Sequence, residues 1–401
     1  VGLALSATDR VDLKRRAASQ IDAAAQGLYA LSREIHANPE IAFEEHGTVA
    51  RLLGYLRTLP SVEIEQGVGG LPTAFRASIG AARSPSIGVI CEFDAVPGMG
   101  HSCGHNLIAS GAVGVLAGLA PLARELPGRV VVIGSPAEEG RGGKIVLAER
   151  GAYDGLDAVL QVHPCDRHRQ SGPTIGKATL AIEFRGVAAH VGSANDRGVN
   201  ALDAVLQLFN GLNAMRQQVR DGCRLYGIIT RGGDSLNTIP DHTAAQIGVR
   251  AQTEEYLASL LQRVEACARG AATATGCTVS IERPPLSYYP PMKLNRTLGR
   301  LLGETLRGLG EDVDDFPPGF EGYANDVAAV SRLAPAALLN YKIGRIGLAE
   351  HSVEFMEAAA SEEGLRGMLL STKTMALAAI DLLTDPSLLG RVAAEFKRTD
   401  A

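Results

Sequence analysis

The sequence predicts an α/β fold that carries a smaller, ferredoxin-like α+β domain as an insertion. Three observations support this. Apolar β-like runs alternate with helical stretches in the first part of the chain, as in a largely parallel sheet with covering helices. The texture then changes to a β-α-β-β-α-β order over roughly 110 residues, which is the ferredoxin-like pattern. At 401 residues, the chain also exceeds what one hydrophobic core usually serves.

In chain order, residues 9–59 read as two amphipathic helical stretches interrupted at Asn38 and Pro39. Strand-like runs follow at Ser86–Phe93, Arg129–Ile133 and Ala158–Val162, with an Ala/Leu/Gly-rich helix from about Leu107 to Leu126 between the first two. Residues 179–185 alternate as a half-exposed strand, and residues 200–219 read as an amphipathic helix. A strand pair around Tyr226–Thr230 and Ala244–Arg250 precedes a helix at about Thr253–Ala272 and a strand at Thr278–Glu282. Pro284–Pro291 reads as a linker, after which the α/β texture resumes and ends in a long helix over about 355–383. The expected division is 1–178 and 291–401 for the larger domain, with 179–290 inserted.

Composition excludes several classes. The apolar fraction is 46% and the charged fraction 21%, ordinary for a globular chain. A net charge of −5 gives no electrostatic footprint for nucleic acid. No apolar run approaches the roughly 20 residues of a membrane span, so no membrane partner is expected. The apolar start at Val1–Ala7 is too short for a signal-peptide core. Six cysteines are scattered without a disulfide rhythm, which suits a cytoplasmic protein with reduced thiols.

Cys103 stands apart from the other five, because His101 and His105 flank it two residues away on either side. Downstream, Glu138 and Glu139 end an apolar run, and His163 and His351 sit in strand-end or loop settings. A lone Glu–Glu pair is ordinarily a solvated surface, and a lone histidine an ordinary polar residue. Here the two acids keep company with a thiolate and imidazoles, the donors that bind a borderline-soft divalent cation. A nearby cation removes the repulsion between adjacent carboxylates. The candidate ligands are Cys103, His105, Glu139, His163 and His351, which leaves Glu138 free to move protons. Asp94, Glu138, Glu139 and His163 all follow strand-like runs, where open α/β sheets place their sites.

Two rival chemistries compete for the same residues. Gly100–Gly104 matches the G-x-S-x-G nucleophile elbow around Ser102, and Asp326 and His351 follow in the order a serine hydrolase uses. That reading leaves Cys103, His105, the Glu138–Glu139 pair and His163 without a role. Zinc base deaminases need P-C-x-x-C, and the stretch from His163 to His168 lacks the second cysteine. A metal-stabilised binding module, in turn, has no use for a spare carboxylate beside its ligand.

An ordered set of segments resembles the M20 metallopeptidases, in the aminoacylase-like amidohydrolase branch with the auxin-conjugate, aminobenzoyl-glutamate and dipeptide hydrolases. The segments are Arg33–Phe43, Glu92–Pro97, Gly100–Asn106, Pro136–Gly140, Gly186–His190, Gly232–Asp241, Val249–Ala251 and His351–Ser352, spread over essentially the whole chain. The resemblance implies a zinc-peptidase-like catalytic domain with an inserted lid that also dimerises. It makes Cys103, His105, Glu139, His163 and His351 the metal ligands, Glu138 the general base and Asp94 the acid that orients a ligand. It places His190 against the substrate carbonyl and Asn237 and Arg250 as substrate contacts. Four positions depart from the branch: Glu92 replaces Asp, Asn106 replaces Asp, Tyr226 replaces His, and Tyr323–Asp326 replaces a Ser–Thr–Asp run.

The expected activity is hydrolysis of the amide bond of an N-acyl or N-aroyl amino acid or a dipeptide-like compound, with one or two Zn, Mn or Co ions. Arg250, Asn237 and Arg224 favour a small carboxylate-bearing substrate. Hydrolytic deamination of an activated aromatic amine on the same metal apparatus is the alternative. A four-stranded inserted sheet with an exposed edge also predicts a homodimer through the lid.

Overall fold

A computed structural model of the chain describes residues 6–80, 84–315 and 323–398; the apolar start at Val1–Leu5 lies outside them. The chain forms two compact units, one built from the segments up to Pro173, from Lys293 and from Asp326 onward, the other from Thr174–Met292 together with Tyr323–Asn325.

In the first unit, Ser6 caps the helix Ala7–Ala37, and the chain breaks at Asn38 because Pro39 cannot continue the ladder. The second helix starts only at His46, and its free Gly47 and Thr48 N–H groups donate to the Glu40 carboxylate at 2.9 and 2.6 Å. Strands β1 (Glu63–Gln66) and β2 (Phe75–Ile79) follow, neither of which the sequence reading had placed. Both are short, and β1 is too polar to show a strand pattern. The expected strands are β3 (Ser86–Glu92), β4 (Arg129–Ser135) and β5 (Ala158–Cys165). They are nearly continuous buried apolar runs, as central parallel strands must be.

The helix His105–Leu119 is buried along its whole length. Its small residues let neighbours approach closely: a Cβ at Gly118 would lie 2.5 Å from Ile21 of the first helix. With the turn after it, His105–Glu125 is a 21-residue stretch whose most apolar 18-residue window has a mean hydropathy of 1.7. This corrects the expectation that no apolar run is that long. Of its most apolar window, 89% is buried inside the fold, so it reads as a core helix. The helix Glu362–Thr384, also long and apolar enough by composition, is 72% buried.

The second unit contains β6 (Gly176–Arg185), the helix Ala201–Arg216, β7 (Arg224–Arg231), β8 (His242–Ala251), the helix Glu254–Thr275, β9 (Thr278–Glu282) and β10 (Tyr288–Tyr289). Its antiparallel sheet runs β9–β6–β8–β7, the ferredoxin-like order. Ala178, Leu180, Ile182 and Phe184 alternate inward along β6 and join Leu208, Leu212, Leu260 and Val264 of the two helices in one core. The proline-rich stretch is more than a linker, because Tyr288 and Tyr289 pair with Ala178 and Lys177 and extend the sheet.

Back in the first unit, β11 (Ala336–Lys342) pairs parallel with β5 and completes a sheet of order β1–β2–β4–β3–β5–β11. The expected long C-terminal helix is two helices, Val353–Ala358 and Glu362–Thr384, each capped by a serine, and a further helix follows at Pro386–Arg398. Strands β3, β4, β5 and β11 run parallel, so their carboxyl ends share one edge of the sheet. The candidate site forms there.

Candidate metal centre

Glu92 ends β3, and Asp94 follows it into a loop; Ser135 ends β4 ahead of Glu138 and Glu139; His163 lies near the end of β5. Cys103 and His105 flank Gly104, whose φ of +74° starts the buried helix. That turn needs glycine twice over. The conformation is left-handed, and a Cβ would lie 2.8 Å from Pro164 of β5. The close approach places Cys103 Sγ 3.5 Å from His163 Nε2.

The ligand atoms of Cys103, His105 and His163 lie within 4.8 Å of one another, as do those of Cys103, Glu139 and His351, and those of His105, Glu138 and Glu139. All five residues singled out as ligands therefore converge with Glu138 in one unit. His351 Nε2 is 3.3 Å from Glu139 Oε1, and its backbone N–H donates to the Ser102 carbonyl at 2.9 Å, tying its loop to the cysteine loop. Asp94 braces the group. Its Oδ1 lies 3.1 Å from His105 Nδ1, and its Oδ2 accepts the Glu139 N–H at 2.9 Å.

Three properties of this cluster fit a bound divalent cation. First, His105 Nε2 is buried without a hydrogen-bond partner among the described residues while its Nδ1 is held by Asp94, which leaves Nε2 aimed at the cluster. Second, burial and the nearby Glu139 push the Cys103 thiol well above its ordinary range. Third, His105 is pushed far up: burial opposes this, and the Asp94 hydrogen bond, with Glu92 and Glu139, outweighs it. A cation relieves all three at once, and thiolate, imidazole and carboxylate are the donors that zinc-like ions prefer.

Behind the ligands lies a charge network that the sequence reading missed. Lys144 is completely buried, its Nζ 2.5 Å from Glu92 Oε1 and in contact with Asp326, while its backbone N–H donates to Asp326 Oδ2 at 2.9 Å. Gln161 Nε2 donates to the same Glu92 oxygen at 2.7 Å. Carboxylate oxygens of Glu92, Glu138 and Asp326 lie within 4.8 Å of one another. Burial and the Asp326 and Glu92 charges push the Glu138 carboxyl well above the usual range, against the pull of Lys144.

This network also overturns the serine-hydrolase reading. Asp326 is held by Lys144 and His351 by Glu139, while the Ser102 hydroxyl is fully buried and, among the described residues, makes no hydrogen bond and meets no relay. Asn106, where Asp is usual, does not face the ligands: its Nδ2 donates to Ser32 Oγ at 3.0 Å and to the Ala359 carbonyl at 2.9 Å. A carboxylate cannot make those donations, which gives the amide a physical reason.

The remaining predicted residues belong to the second unit. His190 and Asn237 are adjacent there, since the Val191 N–H donates to the Asn237 carbonyl at 3.1 Å, and both side chains are exposed. His190 Nδ1 accepts the Gly192 N–H at 3.1 Å, so a neutral ring carries its proton on Nε2. Arg250 on β8 donates through Nε to the Tyr226 hydroxyl at 3.1 Å and lies opposite both Arg224 and Lys177 in register. Tyr226, one of the departures from the branch, thus holds Arg250.

The profile of Peptidase family M20/M25/M40 matches residues 86–371. The chain is 37% identical to the mouse Xaa-Arg dipeptidase over 98% of its own length and 94% of the relative's. It is 38% identical to the human Xaa-Arg dipeptidase over 96% and 92%. Its fold is similar to that of a Bacillus subtilis dinuclear metal-binding peptidase of the M20 family, with a TM-score of 0.73 at 21% identity, covering 91% of this chain and 99% of that one.

Proposed function

This chain belongs to peptidase family M20/M25/M40 and is a hydrolase of C–N bonds, and from that premise we propose that it is a metal-dependent amidohydrolase cleaving a dipeptide or an N-acyl amino acid. The observation that carries this reading is the convergence of Cys103, His105, Glu139, His163 and His351 around a buried face that Glu138 shares. The full-length similarity to dipeptidases favours a dipeptide.

One or two Zn²⁺, Mn²⁺ or Co²⁺ ions held by these five residues supply Lewis acidity toward a carbonyl oxygen and toward water. Glu138 takes the proton of the attacking water and delivers it to the leaving nitrogen; its upward-shifted carboxyl suits both steps. Asp94 fixes the His105 ring and the Glu139 backbone so that neither reorganises during the reaction. His190, protonated at Nε2, is a donor for the carbonyl oxygen as negative charge develops there. Arg250 and Asn237 hold the substrate carboxylate.

The second unit also supports a homodimer. Its sheet ends at β7, an outer edge on which Tyr226, Ile228 and Ile229 are 44%, 61% and 40% exposed. An apolar edge of that kind is stabilised by pairing with a second copy. Mixing Glu138→Gln with His190→Ala protein tests whether His190 serves a neighbouring site. Recovered activity after subunit exchange is expected, and a fully active monomer in sedimentation contradicts the dimer.

The decisive experiment incubates metal-loaded protein with dipeptides carrying C-terminal basic and neutral residues, N-acyl amino acids and aryl amines. Amide cleavage abolished by a chelator and restored by Mn²⁺, Co²⁺ or Zn²⁺ is expected. Ammonia release from the aryl amines alone would replace this reading with deamination.

A further inference from the structure

The segment Arg33–Glu45 has no part in the chemistry above, yet it touches the site's supports at three points. His36 Nε2 donates to the Met356 carbonyl at 2.8 Å, in the helix that follows His351. The Glu40 carbonyl accepts the Ala95 N–H at 2.8 Å, one residue beyond Asp94. The third contact is the most specific. Glu45 is wholly buried, and its Oε1 accepts the Phe43 N–H at 3.0 Å and the Ala137 N–H at 2.9 Å.

Ala137 is the residue before Glu138, and it is left-handed, at φ 60° and ψ 42°. A side-chain-bearing residue stays in that region only where its surroundings hold it. Two buried carboxylates grip this turn from either end: Glu45 takes the N–H of Ala137, and Asp94 takes the N–H of Glu139 at 2.9 Å. Between them the turn has to point a ligand and a base in defined directions. Asp94 reaches the cluster directly, whereas Glu45 acts only through the backbone.

We propose that Glu45 is a positioning residue of the metal centre, holding Ala137 left-handed so that Glu138 and Glu139 meet the other ligands. The role depends on the reach of its acceptor oxygen, because the two groups it engages are backbone N–H donors that any well-placed oxygen satisfies. This rests on the metal-centre reading, and the test separates the two.

The probe is Co²⁺ titrated into metal-free protein and followed by its visible absorption, with circular dichroism to establish folding. Glu45→Gln keeps the oxygen and its reach and loses the charge; wild-type affinity and band shape are expected. Glu45→Asp keeps the charge and withdraws the oxygen by one methylene. It should weaken Co²⁺ binding by about 10- to 100-fold, the usual effect of removing a group that orients a ligand, and alter the band shape. A wild-type chain that takes up no Co²⁺ removes the metal-centre reading itself. Co²⁺ uptake with an unchanged Asp variant, or a Gln variant as impaired as Asp, overturns the role of Glu45 while leaving the metal centre in place.

Discussion

The two units present their functional residues in opposite ways. In the first, every candidate ligand but His351 is buried or nearly so, and three of the five are fixed by a second contact: His105 by Asp94, Glu139 by Asp94, and the His351 backbone by Ser102. In the second, His190 and Asn237 are exposed, and Arg250 is held by a tyrosine hydroxyl. Rigid, desolvated donors suit an ion with fixed preferences, whereas exposed donors suit a ligand that must arrive and leave. Mutations in the first unit should therefore cost metal, stability or turnover, and those at Asn237 and Arg250 in the second should cost substrate affinity.

The largest effect expected is on stability. Lys144 contacts both Glu92 and Asp326, and all three are fully buried. Lys144→Met leaves their carboxylates uncompensated, so about 3–5 kcal/mol of unfolding free energy should be lost, read by urea denaturation of metal-free protein. A loss below about 1 kcal/mol would mean that water already reaches the network.

Turnover comes next. Glu138→Gln should bind Co²⁺ as the wild type does and lose at least about a hundredfold in kcat, the scale of a general base. Loss of the metal together with activity would move Glu138 into the ligand set.

A pH effect follows from Glu45, which burial, with some help from Asp94, pushes up to about 7 from 4.5, against the Phe43 N–H. A carboxyl raised on folding contributes stability that is present below its unfolded value and is lost as pH rises through its folded value. Metal-free wild type and Glu45→Gln should thus be equally stable near pH 4.5 and diverge up to about pH 7. Above that, the Gln variant should lead by on the order of 3 kcal/mol. Urea midpoints across this range check the sign; a wild type that gains on the variant as pH rises contradicts it.

The ligand set was legible in the sequence because its donors are unusual residue types at strand ends, where period and chemistry signal together. The ferredoxin-like order was legible because β6 and β8 alternate cleanly about one covered face. Lys144, Asp326 and Glu45 were not legible. Each matters through a partner far along the chain, and a charged residue looks solvated until its burial is known. Nor was the two-residue strand β10, whose pairing with β6 is invisible in a run of prolines.

The smallest structural effect should come from Arg250, and it sharpens the contrast most. Its guanidinium lies on the sheet face opposite the helices, beside Tyr226 and across from Arg224, so Arg250→Met buries no new charge and breaks no core contact. Unfolding free energy should stay within about 0.5 kcal/mol of wild type, and Co²⁺ affinity should not change. If Arg250 binds substrate equally in ground and transition states, KM should rise roughly ten- to a hundredfold with kcat preserved, since a charge-assisted contact is worth about 1.5–3 kcal/mol. Tyr226→Phe removes the hydroxyl that orients Arg250 and should raise KM by a smaller factor. A fall in kcat at constant KM in either variant would mean that this face acts on the transition state, and the division between a wall for the ion and a surface for the substrate would have to be redrawn.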